Sequence, residues 1–153
     1  MLDIYYNGNF VGSLPCYFQW DGTLTNGAQC ISPYFMGFTT ISNGFPKVGT
    51  DNLYIESGGK TNISDSLNTI TNTKYSKLNI DVKVTDVMAS VKTSKIQVLN
   101  SDKTVLREVS VTTVNRQTIS IDITNIDDFY IRWICSSSSG YDHLMYIYKM
   151  WLS

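Results

Sequence analysis

Charge is scarce in this chain: Asp, Glu, Lys and Arg supply 16% of its 153 residues, against the ~25% usual for soluble domains. The net charge is −1 and the basic residues are scattered, so the electrostatic footprint of a DNA- or RNA-binding protein is absent. Histidine is nearly missing, with His143 the single copy. Together with three dispersed cysteines it lacks the spacing of a zinc site. Those three, Cys16, Cys30 and Cys135, are an odd number, so a disulfide framework is not the design. Cys16 and Cys30 could pair around a loop, but the favoured reading is three small buried hydrophobes. No apolar run approaches the ~20 residues of a membrane span, and Met1-Leu2-Asp3 does not begin a signal peptide. Membrane insertion is therefore not expected, and that start implies release by lysis or assembly, or excision from a longer protein. There is no heptad, no long internal repeat, no charge block and no pattern for a helix of any length.

What replaces charge is Ser, Thr and Asn, with ten Tyr, the neutral, hydroxyl-rich surface typical of extracellular β proteins. Hydrophobic residues at 42% supply a core, and the length suits one domain, 1–153, that buries about 68–70% of its unfolded surface. Residues 1–50 are its loop-rich part.

Residues 77–84 place Leu78, Ile80, Val82 and Val84 on one face and polar residues on the other. A period of two sustained this long is the pattern of a half-buried strand. It recurs at 118–123. Residues 3–6 read as a first strand, closed by Asn7-Gly8, which tolerates positive φ at a hairpin. From 12 to 50 the chain is irregular, with aromatic clusters at 16–20 and 34–38 that suit short strands. Residues 52–56 form a better strand, closed by Gly58-Gly59. Residues 63–73 are polar and read as an ordered loop or one helical turn. Residues 95–99 and 104–109 make a hairpin about Asn100-Ser101-Asp102-Lys103. Residues 128–135 and 143–151 flank a loop and are expected to be antiparallel neighbours near a sheet centre. The class that follows is all-β: an antiparallel β-sandwich, a scaffold that carries function on its loops.

Catalytic signals are weak. His143 lies beside Asp142 and near the serine run 136–139, but nothing specifies an oxyanion hole. The favoured reading is a polar residue at a strand start, and no enzyme is expected. Asp127 and Asp128 are adjacent, so in a strand they face opposite ways, which disfavours a paired acid/base role. No cofactor is expected; the exception such sandwiches allow is a structural calcium, with Asp21 or Asp51 among its oxygen ligands.

Aromatic residues in loops are the better candidates. Sugars present apolar C–H faces and hydroxyls, so their sites combine an exposed ring with amide or acidic side chains. Trp20 and Asp21 stand just before a turn, Tyr34 lies in the second aromatic cluster, and Tyr141 closes the serine loop. These four are the candidate ligand-binding residues. Trp133 and Trp151, inside strands, are read as core. The run 136–140 is read as a solvated hairpin connection, and an exposed edge strand is the competing surface for docking a subunit.

Asp51-Asn52-Leu53-Tyr54-Ile55 and Thr73-Lys74-Tyr75-Ser76-Lys77-Leu78-Asn79-Ile80-Asp81-Val82 together resemble domains of tail and baseplate-associated proteins of phages infecting Gram-positive bacteria. Residues 119–126, the terminal 145–152 and the opening Ile4-Tyr5-Tyr6-Asn7-Gly8 fit the same layout. The resemblance implies a jelly-roll module similar to galactose-binding-like domains over about residues 50–153. It is a likeness of strand patterns. The Gly-Gly-Trp element frequent after that family's first strand is missing, with Phe18-Gln19-Trp20 in its place.

The expectation is a non-enzymatic virion domain, in a phage tail or fibre, that adheres to host cell-surface polysaccharide. Its partners would be a glycan and other virion subunits, with homo-oligomers allowed, and its location the virion or the extracellular space. The alternatives are a purely structural virion protein, in capsid decoration or tail assembly, and an ancillary carbohydrate-binding module of a secreted bacterial enzyme.

Overall fold

A computed structural model describes residues 2–14, 29–31, 38–43, 46–72, 74–86, 91–138 and 140–153, and among them every regular element is a strand. The first five are β1 (Leu2–Tyr6), β2 (Asn9–Leu14), β3 (Gln29–Cys30), β4 (Phe38–Ser42) and β5 (Lys47–Val48). The next five are β6 (Leu53–Glu56), β7 (Thr61–Ser66), β8 (Ile70–Thr71), β9 (Lys77–Val84) and β10 (Lys92–Leu99). The chain closes with β11 (Val105–Ser110), β12 (Gln117–Asp122), β13 (Asp128–Ser137) and β14 (Leu144–Leu152).

They form an antiparallel β-sandwich of jelly-roll type. The first sheet runs β11-β10-β13-β7-β4, with β8 pairing the start of β13. The second runs β12-β9-β14-β6-β5, with β3 pairing the end of β14. β1 and β2 make a separate hairpin turned by Asn7 and Gly8, both at positive φ, as the Asn-Gly pair predicts.

The alternating faces meet between the sheets. Leu78, Ile80, Val82 and Val84 of β9 pack with Met145, Ile147, Met150 and Leu152 of β14 and with Phe129, Ile131, Trp133 and Cys135 of β13, all fully or almost fully buried. Each such side chain contributes on the order of 1.5–3 kcal/mol by leaving water.

Two expectations need correction. Residues 63–72 hold no helical turn; they carry the end of β7, then β8, and Thr73 lies outside the described residues. Their period is hidden because the inward side chains of β7 are polar. Asn62 Nδ2 donates to the Glu56 carbonyl, and Ser66 Oγ accepts the Ile131 N–H at 3.0 Å, so the backbone of neighbouring strands gives these buried side chains partners. β13 and β14 are not paired with each other. Each is the centre of its own sheet, so the end of β13 and the start of β14 lie in different sheets instead of closing a hairpin.

β14 carries the feature that shapes the outer surface. Ile147 pairs with Val82 and Lys149 with Asp81, leaving Tyr148 as an extra residue in a β-bulge. In-facing residues are Met145 and Ile147 before it and Met150 and Leu152 after it. Tyr146, Tyr148, Lys149 and Trp151 consequently share the outer face. Deleting Tyr148 restores a regular alternation without turning any core residue outward. That variant is expected to fold with a near-normal circular dichroism spectrum. Deleting Met150 instead turns Trp151 inward and Leu152 outward, and is expected to give no cooperative melt.

An aromatic row on the outer face of the second sheet

The outward positions of β6 and β14 bring three tyrosines into one row. Tyr54 and Tyr146 are direct cross-strand partners, and their ring centroids lie 6.0 Å apart at 39°. Tyr146 and Tyr148 follow at 6.5 Å and 25°. Trp151 continues the line along β14, opposite Asn79 of β9. Tyr54, Tyr146 and Trp151 are half-buried, while Tyr148 is only 8% exposed. Hydrogen-bonded strands on both sides of β14 hold the row in place.

Cations lie over these rings. Lys83 Nζ stands 5.2 Å from the Tyr146 centroid, Arg116 Cζ 4.2 Å from that of Tyr148, and Lys149 Nζ 5.4 Å from that of Trp151. Contacts of this kind are worth ~0.5–1 kcal/mol each at exposed sites. Arg116 is fixed further by Asp81, whose Oδ2 accepts from Nε and lies 2.7 Å from Nη2; that hydrogen bond is the main reason its pKa is raised. Beside them Asn79 accepts from Ser120 Oγ at 2.7 Å and donates to Ser153 Oγ at 2.9 Å. At the other edge Lys47 and Glu56 pair at 2.7 Å. Asn79, Tyr148 and Lys149 are themselves buried. The groups the face offers are thus the half-buried rings of Tyr54, Tyr146 and Trp151 with Lys83, Arg116 and the Ser120 hydroxyl, a combination of ring, hydroxyl and charge that suits a sugar chain.

Of the residues singled out in the sequence, Trp20, Asp21 and Tyr34 lie outside the described residues. Tyr141 is 45% exposed and stands at one end of the sandwich, not in the row. Its carbonyl accepts from Ser137 Oγ at 2.6 Å, and Lys92 Nζ lies 5.8 Å from its ring centre. Asp51, the other conceivable calcium ligand, is exposed and accepts from Asn52 Nδ2. Trp133 is buried as expected, but Trp151 is half-buried on the outer face, because the bulge turns it out of the core. The signal for the row was present in the sequence: Tyr54, Tyr146 and Tyr148 occupy the polar phase of strands whose other phase is aliphatic.

His143 belongs to the interior. It is 1% exposed, with Nε2 2.7 Å from Ser94 Oγ and Nδ1 3.4 Å from Thr85 Oγ1. Its partner is therefore Ser94 on β10, not the serine run, and Ser94 is itself 3% exposed. A cavity of about 190 Å³ borders the pair, lined also by Asp86, Lys92 and Val111. Burial lowers the His143 pKa first; Asp86 opposes that and Lys92 adds to it. Because the folded state disfavours the imidazolium, the unfolded chain takes up the proton first as pH falls through ~6.5. Stability is expected to decline below that pH, and His143→Gln to flatten the decline in urea titrations at pH 5 and 7.5. Cys135, also buried, has its thiol pushed up to about 11 by desolvation, which keeps it protonated and unreactive.

No family model matches the chain, and no curated protein matches it. Solved structures are similar to it in fold. One is the family 11 carbohydrate-binding module from Clostridium thermocellum in complex with a β-1,3-1,4-mixed-linked tetrasaccharide. It is 9% identical over 84% of this chain and 96% of its own, with a TM-score of 0.51. A second is a family two carbohydrate esterase from Cellvibrio japonicus, 10% identical, with a TM-score of 0.50 over 82% of this chain and 33% of its own length. A family 29 carbohydrate-binding module is 18% identical over 76% of this chain and 81% of its own, with a TM-score of 0.48. At such identities the likeness is one of fold.

Proposed function

We propose that this chain is a single, non-enzymatic domain that binds polysaccharide on the outer face of its second sheet. The observation that carries the reading is the contiguous row Tyr54, Tyr146 and Tyr148, continued by Trp151, on hydrogen-bonded strands. A row longer than one sugar ring suits a chain of sugars better than a monosaccharide. Binding per site would be weak, and repetition of the domain would supply avidity. The likeness of fold to carbohydrate-binding modules supports the reading. The resemblance of residues 50–153 to phage tail and baseplate domains extends it to a setting: a virion protein that adheres to host cell-surface polysaccharide, outside the cell. Trp20, Asp21, Tyr34 and Tyr141 are proposed as a second, loop-borne set of contacts.

The other reading, a structural subunit, is favoured by one feature. Leu67 at 61% and Val105 at 43% are exposed apolar side chains beside the first sheet, a surface suited to another virion subunit or a second copy.

The test is affinity electrophoresis of wild type, Tyr54→Ala and Trp20→Ala through a panel of cell-wall and plant polysaccharides. Retardation of wild type, lost in Tyr54→Ala and reduced in Trp20→Ala, is the expected result. A folded wild type that no polysaccharide retards would shift the assignment to the structural subunit.

A further inference from the structure

The outer face holds more positive charge than a neutral sugar needs. Lys83, Arg116 and Lys149 lie over the rings of Tyr146, Tyr148 and Trp151, the surfaces that a sugar's C–H face would cover. Arg116 is 51% exposed along its side chain. Asp81 engages its Nε and Nη2, so the guanidinium keeps further donors for an incoming oxyanion. Lys83 makes no ion pair among the described residues. The chain as a whole carries −1, so these cations are a local arrangement and not the by-product of a basic protein.

A neutral polysaccharide must push the cations off the rings to stack. An anionic one keeps them in place and gains charge-assisted hydrogen bonds, the stronger kind. We propose, resting on the polysaccharide reading above, that this face selects an anionic polymer, its carboxylate or phosphate groups meeting Lys83 and Arg116 over Tyr146 and Tyr148 while its apolar parts lie against Tyr54. Rings with cations also suit single-stranded nucleic acid. Against that, Asp81, Glu56 and Asp122 point outward on the same sheet, and they would repel a backbone charged at every unit. Sparse anions along a sugar chain fit between them.

The experiment titrates the whole chain with a pectin in which a minority of the galacturonate units are free carboxylates, the same pectin fully methyl-esterified, an uncharged β-glucan, the same glucan sparsely phosphorylated, and an oligothymidylate, at low and high salt. One charged polymer is expected to bind about tenfold tighter than the ester and the glucan, the effect of a single charge-assisted hydrogen bond. Lys83→Gln and added salt should each narrow that gap. Preference for the partly free pectin marks a carboxylate ligand, preference for the phosphorylated glucan a phosphate one. Equal binding of the ester or the glucan overturns the inference and leaves the polysaccharide reading standing. Binding of no polymer overturns both. Preference for the oligothymidylate overturns the inference in favour of nucleic acid.

Discussion

Asp65→Ala is expected to cost the fold about 3–5 kcal/mol. Asp65 is 1% exposed although β7 turns it to the outside of the first sheet. Its cover is Arg132 of β13, which donates from Nε to Oδ1 at 2.6 Å and from Nη2 to Oδ2 at 2.9 Å. Two parallel bonds on a planar fork are the strong form of this pairing. Removing the carboxylate leaves a partly buried guanidinium without its counter-charge, and that desolvation is most of the cost. The double variant Asp65→Leu, Arg132→Met removes both charges and is expected to recover most of the loss. Urea unfolding of the three proteins decides the matter. A single variant within about 1 kcal/mol of wild type would place the pair among ordinary surface bridges.

Tyr146→Ala is expected to weaken polysaccharide binding by ~30–150-fold, the loss of about 2–3 kcal/mol typical of a central aromatic anchor. Tyr146 touches both other tyrosines and seats Lys83, so its removal splits the row and frees a cation at once. Stability should fall by only about 1 kcal/mol, the scale of an aromatic pair on an open face. Tyr146→Phe keeps the ring and should retain most of the affinity. A loss of stability as large as the loss of binding would assign the ring to the fold instead of to a ligand.

These residues also show how far the sequence could be read. β9 was legible to the residue, because its inward and outward side chains differ at every step. β13 and β14 were legible as strands but not as members of different sheets. β13 alternates cleanly and β14 does so up to Ile147, and the short segment between them reads like a hairpin loop, whereas the two strands lie in different sheets. β7 was hidden because Asn62, Ser64 and Ser66 are buried, which hydropathy alone cannot anticipate. Trp151 reads as core because it lies inside a strand; the bulge at Tyr148 places it on the outer face instead. The sequence places its candidate aromatics in loops, where rings lack a core to join, whereas the half-buried rings of Tyr54, Tyr146 and Trp151 stand on the outward phase of a sheet. The row was written in the alternation of Leu53-Tyr54-Ile55 and Met145-Tyr146-Ile147-Tyr148, but its contiguity depends on strand register, which only the fold supplies.

The central claim, that the outer face of the second sheet is the binding surface, is tested most directly by amide NMR during titration with an oligosaccharide of whichever polymer binds. The account predicts shifts clustered at Tyr54, Lys83, Tyr146, Tyr148 and Trp151, with β7 and β10 unmoved. Shifts centred on Tyr141 and the His143 cavity, with the row silent, would contradict it.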